Sequence, residues 1–189
     1  MGQRDLGRLA EQFGSTNPIH IHIITMSDRA HKGEYQDQGG PAIRVAIEAF
    51  FKDTNIGVNI TNTILPDEAA QLKAALRDAR DAGTHAVFTT GGTGLSPRDI
   101  TPDVVMRMAD TTIPGIMEVI RVKYAMDNPL ATLSRTVAAV MGQTLVYTIP
   151  GSPKGVVEYM EEIMKTFDHL LCVLHGAAEH SDLPIGDYQ

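Results

Sequence analysis

The chain has a single cysteine, Cys172. One cysteine excludes an intrachain disulfide framework and fits a reducing compartment. Because Cys172 lies in an apolar helical stretch, it reads as packing rather than as a nucleophile. No apolar run reaches the ~18 residues that a membrane-spanning helix needs. The first residues lack the hydrophobic region of a secretion signal, so a cytoplasmic protein with no membrane partner is expected. No cysteine–histidine cluster has zinc-ligand spacing, and no Ser/His/Asp or Cys/His set stands out. Positive charge is also scarce: 16 Lys and Arg against 23 Asp and Glu leave a formal charge of −7. That balance argues against a non-specific nucleic-acid binder. There is no internal repeat and no low-complexity tract. What is present is ordinary for a globular chain. At 189 residues, 43% hydrophobic and 21% charged, it can form one domain with a full core.

The most informative stretch runs from Ala86 to Asp103. Ala86-Val87-Phe88 reads as a buried strand. Thr89-Thr90-Gly91-Gly92-Thr93-Gly94-Leu95-Ser96-Pro97-Arg98-Asp99-Ile100 follows. A helix then opens with Thr101 as N-cap, Pro102 at its first position and Asp103 in its first turn. A small-residue loop between a strand and a helix lies at the carboxyl end of the strand, where open α/β sheets bind ligands. Glycines admit close backbone approach, and free N–H groups there suit an anion. The loop is not a P-loop, because Leu95-Ser96 stands where Lys-Ser/Thr is needed. It is not a dinucleotide fingerprint either, because Pro97 occupies a small-residue position. The bland alternative is a glycine turn before a capped helix.

Along the chain, residues 1 to 18 form a polar N-terminal extension with a short amphipathic pattern (Leu6, Leu9, Ala10, Phe13). Residues 19 to 175 make the single α/β domain, and residues 176 to 189 a polar tail expected to be loosely held. Ile19 to Met26 is the first strand. His20 and His22 share one of its faces; with no third ligand nearby, a partly covered sheet face is the simpler reading than a metal site. The strand ends in Ser27-Asp28-Arg29, and Pro41 opens a helix to about Lys52. Gly57 to Leu65 is the second strand. Pro66-Asp67-Glu68 opens the next helix with Asp67 as its N-cap, although an acid at a strand's carboxyl end can also face a ligand crevice. Further helices are expected over 102–109 and from Pro114 to about Met126, with Met106, Met108, Met117 and Met126 as core fillers. Val137 to Val140 and Thr144 to Ile149, joined at Gly142, suggest a hairpin and hence an antiparallel member in a mostly parallel sheet. Ser152 caps the last long helix, which starts at Pro153 and carries Val156, Met160, Ile163, Phe167, Leu170, Leu171 and Leu174 as its apolar stripe. His175 and His180 are too weakly placed to read as ligands.

Each loop near a strand end carries a base: Arg29, Arg98, Arg135 and Lys154. If these loops converge, they form a positive pocket in a negative molecule, suited to a nucleotide or an organic phosphate. Acids among those bases fit phosphoryl or nucleotidyl transfer with Mg²⁺, which takes one or two carboxylates plus phosphate oxygens. Asp67 and Asp99 match that pattern.

The motifs together resemble the MoaB/Mog molybdopterin-binding family. The likeness rests on Thr89 to Gly94 with Arg98 to Asp103, on Ser27-Asp28-Arg29, Tyr35-Gln36-Asp37, Pro66-Asp67-Glu68, Pro114-Gly115, Leu133-Ser134-Arg135 and Pro150-Gly151-Ser152-Pro153-Lys154. It spans about residues 19 to 174, and Ser-Asp-Arg followed by Gly-Glu-Tyr-Gln-Asp resembles the Mog branch, and the equivalent domain of gephyrin, more than the MoaB branch. The resemblance implies a three-layer α/β/α fold with a mixed, mostly parallel sheet, and a homotrimer. It implies a reaction in molybdenum cofactor biosynthesis: molybdopterin and ATP, with Mg²⁺, give adenylyl-molybdopterin and pyrophosphate, ahead of hand-over to a molybdate-insertion protein. Carried over by position, Asp67 and Asp99 are the catalytic acids and candidate Mg²⁺ ligands. Ser27, Asp28, Arg29, Thr90, Gly91, Gly92, Thr93, Gly94, Arg98, Ser134, Arg135, Gly151, Ser152, Pro153 and Lys154 match the nucleotide and pterin-phosphate surface. The competing expectation is a MoaB-like protein that holds molybdopterin without adenylylating it. A scaffold using the fold for trimer contacts alone would leave the charged loops unexplained.

Overall fold

A computed structural model describes residues 2–176, with side chains from Asp5 onward. The tail beyond Gly176, and His180 with it, lies outside the described residues. The elements are α1 (Gly2–Gln12), β1 (Ile19–Met26), a single turn α2 (Asp28–His31), α3 (Gly39–Phe51), β2 (Val58–Leu65), α4 (Ala69–Asp81), β3 (Ala86–Thr90), α5 (Thr101–Met108), β4 (Thr111–Thr112), α6 (Pro114–Ala125), a 3₁₀ turn (Pro129–Leu133), β5 (Ala138–Met141), β6 (Thr144–Ile149) and α7 (Pro153–Leu174). They form one six-stranded sheet in the order β2-β1-β3-β6-β5-β4. β2, β1, β3 and β6 pair in parallel, while β5 runs antiparallel to both β6 and β4. The mixed sheet with one antiparallel strand is the arrangement the hairpin at Gly142 predicts.

Strand alternation divides the core into two. Ile19, Ile21 and Ile23 of β1 face α1, α3, α6 and α7, together with Phe88, Tyr147 and Phe167. Ile24 and Met26 face the other way, onto Leu72 and Leu76 of α4 and Val104 and Val105 of α5. The result is three layers, with the long helix α7 as the largest single contributor. Its start is as expected: Ser152 caps it by accepting a hydrogen bond from the Gly155 amide at 3.2 Å, with Pro153 in first place. Cys172 is fully buried, and burial pushes its thiol up to about 11, in keeping with packing.

Several expectations change. α1 is part of the core: Leu9 is 0% and Phe13 3% exposed, both in the α7-side cluster. The apolar stripe of the short helix finds a partner in α7, so the division at residue 18 does not separate an extension from the packed body. Of the four methionines read as core fillers, Met117 is buried and Met108 is half-buried against the α4–α5 core, whereas Met106 is 48% and Met126 85% exposed. Asp67 does not cap α4. The helix starts one residue later than Asp67 requires, with Glu68 as a cap that makes no side-chain hydrogen bond. Thr101 is likewise inside α5, behind Ile100. In both cases the side chain is claimed by the loops described next. No helix among the described residues is long and apolar enough to cross a membrane.

Candidate active site

Parallel pairing brings the strand ends together. Met26 pairs with Leu65, Thr25 with Thr90, and Thr90 with Ile149. The segments that follow, at 27–29, 66–68, 91–94 and 150–154, therefore leave one edge of the sheet side by side.

The glycine loop turns at once after β3. Gly91 has φ +95°, and a Cβ there would stand 2.3 Å from the Met26 carbonyl oxygen; Gly92 has φ +62° and no more room, with Thr101 Oγ1 at 2.6 Å. Only glycine fits two such positions. The loop is then tied down. The Gly91 amide donates to the Ile149 carbonyl at 3.1 Å, and Thr101 donates its amide to Gly92 (3.1 Å) and its hydroxyl to the Gly91 carbonyl (3.0 Å). That second bond is what takes Thr101 away from capping. Thr90 Oγ1 donates to the Pro150 carbonyl at 2.9 Å, joining this loop to the 150–154 segment.

Arg135 completes the frame. Its Nε donates to the Gly94 carbonyl at 2.7 Å, its Nη1 to Asp103 at 2.9 Å and its Nη2 to the Asp99 carbonyl. Its own amide reaches the Thr93 carbonyl at 3.2 Å. A rigid guanidinium fork suits such multiple recognition. The likeness places Arg135 on the nucleotide and pterin-phosphate surface; its side chain here bonds to the glycine loop itself and so fixes its shape.

Three carboxylates gather on this loop. Asp28 and Asp67 bond reciprocally: the Asp28 amide donates to Asp67 Oδ2 at 3.3 Å, and the Asp67 amide to Asp28 Oδ1 at 3.1 Å. Asp28 also pairs with Arg98, whose side chain stays 64% exposed. Asp67 Oδ1 lies 3.8 Å from where a Gly92 Cβ would stand. Asp99 Oδ2 accepts from the Ser96 amide at 2.7 Å and faces Gly94. The Asp67 carboxyl is raised above its ordinary range, chiefly by burial. The neighbouring charges of Asp28 and Asp99 add to this, and the Asp28 amide and Arg98 oppose it. Asp67, Asp99, Asp28 and Arg98 thus share one electrostatic neighbourhood against the glycine loop.

The other expected ligands are placed less directly. Ser27 caps the short turn α2 through Ala30 (3.2 Å). Arg29 lies over the Tyr35 ring at 5.1 Å. Ser134 Oγ accepts from the Tyr159 hydroxyl at 3.0 Å. Lys154 is 80% exposed beside Glu158. Gly151 lies against Gly91, 3.3 Å from its Cα by the position a Cβ would take. His20 and His22 gain no third ligand. Among the described residues, no group of three or more His, Cys, Asp or Glu is placed to hold a metal ion unaided.

The structure adds residues that the site reading omits. A cavity of about 100 Å³ opens beside Gly91, lined among others by Thr25, Ser27, Tyr35, Asp37 and Gly39. Asp37 anchors it: Oδ1 accepts from the Gly39 (2.9 Å) and Gly40 (3.2 Å) amides and Oδ2 from the Thr25 hydroxyl (2.7 Å). The available signal is an aspartate two residues before Gly-Gly-Pro, a helix-start pattern.

Both the sequence and the fold are similar to those of known proteins. The family model described as "Probable molybdopterin binding domain" matches residues 22–169. A molybdopterin adenylyltransferase of Haemophilus influenzae is 36% identical over 146 residues, 77% of this chain and 73% of that protein. The molybdopterin biosynthesis Mog protein of Mycobacterium ulcerans superposes with a TM-score of 0.75 at 32% identity, covering 84% of this chain and 98% of its own. The molybdopterin biosynthesis enzyme MoaB of Thermus thermophilus gives a TM-score of 0.72 at 36% identity, covering 84% and 97%.

Proposed function

From the premise that this chain belongs to the molybdopterin-binding domain family, we propose that it is a molybdopterin adenylyltransferase acting in molybdenum cofactor biosynthesis. The reaction is the transfer of AMP from ATP to the terminal phosphate of molybdopterin. A phosphate oxygen of molybdopterin attacks the α-phosphorus; the new P–O bond forms as the bond to the β-phosphate oxygen breaks, and pyrophosphate leaves. A phosphate monoester is already nucleophilic, so the protein has mainly to position two anions and offset their charge. The observation that supports this most is the pair Asp67 and Asp99 against a pinned glycine loop, one beside Gly92 and the other beside Gly94.

The donor set fits Mg²⁺ shared with phosphates. Two carboxylates are few for a protein cage but suit an ion that takes its remaining ligands from a triphosphate and water. Asp67 and Asp99 are the residues that would hold it, and when bound it supplies charge neutralisation at the triphosphate. The amides of Gly92, Thr93 and Gly94 would bind the anion, since that of Gly91 is taken by Ile149; Arg98 adds a positive charge held by Asp28, and Arg135 keeps the loop in shape. The homotrimer belongs to the same reading. Exposed apolar side chains on α6 and the 3₁₀ turn, Val119, Val122, Met126, Leu130 and Leu133, support a self-association surface.

A second reading has an observation of its own: a MoaB is as similar in sequence, at 36%, as the adenylyltransferase of Haemophilus influenzae. In that case the chain binds molybdopterin without transferring AMP. A product assay separates the two. Purified protein with molybdopterin, ATP and Mg²⁺ is expected to give adenylyl-molybdopterin by chromatography and mass. Asp67→Ala and Asp99→Ala should each lower the rate by about 100-fold or more. Tight molybdopterin binding with no product would favour the binding protein.

A further inference from the structure

The acidic chain keeps a basic groove on the face away from α7. Lys73, Arg77 and Arg80 of α4 and Arg107 of α5 line it, with Met108 in its wall, around a space of about 300 Å³. On α4 these three bases recur at i, i+4 and i+7, each one residue past the buried stripe Leu72, Leu76 and Ala79. The spacing puts them in one row along the seam with α5. Both helices begin at the site, α4 just after Asp67 and α5 just after the glycine loop. The groove therefore runs from Lys73, in the second turn of α4, to the carboxyl-terminal ends of both helices, leading away from the site.

Helix electrostatics explains only part of this row. Arg80 and Arg107 sit in last turns, where a cation is favoured by the helix dipole. Lys73 and Arg77 do not, and like charges at i, i+4 destabilise a helix. Arg80 pairs with Asp81 at 2.8 Å, and its stem passes over Gly142, whose amide donates to Asp110 at 2.7 Å. Asp81 and Asp110 thus balance that end of the groove. Among the described residues, Lys73, Arg77 and Arg107 have no ion-pair partner; Arg77 Nε reaches only the Lys73 carbonyl, at 3.4 Å. The groove is shallow and walled by long side chains, which suits an extended chain more than an enclosed metabolite.

We propose that this groove docks an acidic segment of a partner protein, leaving the strand-end site on the same subunit open. The groove is a positive patch on a molecule that carries −7 as a whole, so an acidic segment is favoured there over most of the remaining surface. The test uses the full chain and a fluorescein-labelled deca-glutamate peptide, followed by anisotropy at low and high salt. Wild-type protein is expected to bind it with an affinity that falls steeply with salt. The variant Lys73→Glu/Arg77→Glu/Arg107→Glu should bind at least 10-fold more weakly, with unchanged circular dichroism. A control with the same kind of reversal elsewhere, Lys32→Glu/Lys52→Glu, should bind as wild type. Equal loss in the control, or no loss in the groove variant, would overturn the proposal. So would displacement of the peptide by ATP with Mg²⁺, which would place it on the glycine loop, or by low-millimolar inorganic phosphate, which would make the groove a small-anion site.

Discussion

Asp67 is where the demands of folding and of chemistry oppose each other most directly. Burial raises its carboxyl above the ordinary range, and Asp28 and Asp99 add repulsion that Arg98 only partly offsets. A carboxyl whose pKa is higher in the folded than in the unfolded state contributes stability only when protonated. That contribution is present below the unfolded value and is lost as pH rises through the folded one. Ionisation of Asp67 is therefore a cost to the fold. Asp67→Asn retains an oxygen that can accept from the Asp28 amide and removes the charge. The variant is expected to melt at a higher temperature than wild type at pH 7, with the difference narrowing as pH falls through the raised folded value and closed below about pH 4. Its adenylylation rate should meanwhile fall by about 100-fold. A calorimetric series against pH checks the sign: a variant less stable at pH 7 would mean that the carboxylate's hydrogen bonds outweigh its burial.

At the scale of elements, α1 carries a comparable test. Leu9 and Phe13 are seated in the α7-side cluster, so Leu9→Ala should cost about 2–5 kcal/mol, the range for a buried leucine. Urea denaturation would read this as a lower midpoint at unchanged slope. A cost near zero would return α1 to the status of an extension. The same element shows what was legible in the sequence and what was not. α7 has a long stripe, a serine cap and a proline, and its start and buried face follow from those residues alone. The four strands ending at the site were also legible, because each apolar run stops at a loop of glycine, hydroxyl and charge. α1 has the right period but a polar composition, and only the surface of α7 decides that it packs. β4 is two residues long and exists because β5 offers an edge; no local pattern announces it. The caps read at Asp67 and Thr101 failed for one reason. Both residues have the chemistry of a cap, and both are drawn off by loops, Asp67 to the Asp28 amide 39 residues away and Thr101 to the Gly91 carbonyl 10 residues back. Residue types thus point to the candidate site, while the contacts within it, Arg135 holding the loop and Arg98 held by Asp28, depend on tertiary geometry.

Across the whole molecule, the candidate site's charges and a histidine cluster lie at opposite ends of the parallel strands. The carboxylates and Arg98 lie at the carboxyl ends of the parallel strands, and histidines collect where those strands begin. His85, just before β3, accepts from the His20 amide through Nδ1 at 3.0 Å and stacks on the His20 ring. The His175 ring lies 4.6 Å away by centroids, and Phe13 meets His85 edge-on at 5.0 Å. Asn59 and Gln12 supply only neutral contacts to this group, to His20 and to the His175 carbonyl. Burial, then the charges of His175 and His20, push the His85 imidazole down from 6.5 to about 4. A histidine lowered in the folded state contributes stability that is present above its unfolded value and lost as pH falls through its folded one. The protein should therefore lose stability between about pH 6.5 and pH 4, starting at the end remote from the site, where α1 and the end of α7 meet the sheet. His85→Asn places an amide oxygen where Nδ1 accepts and removes the titration. Its melting temperature should fall less steeply than that of wild type across this interval, while adenylylation at pH 7.5 stays within about twofold. Thermal melts of the two proteins at half-unit steps of pH provide the comparison. Parallel curves would show that acid lability arises from carboxylates elsewhere, and that the histidine cluster is held together by packing alone.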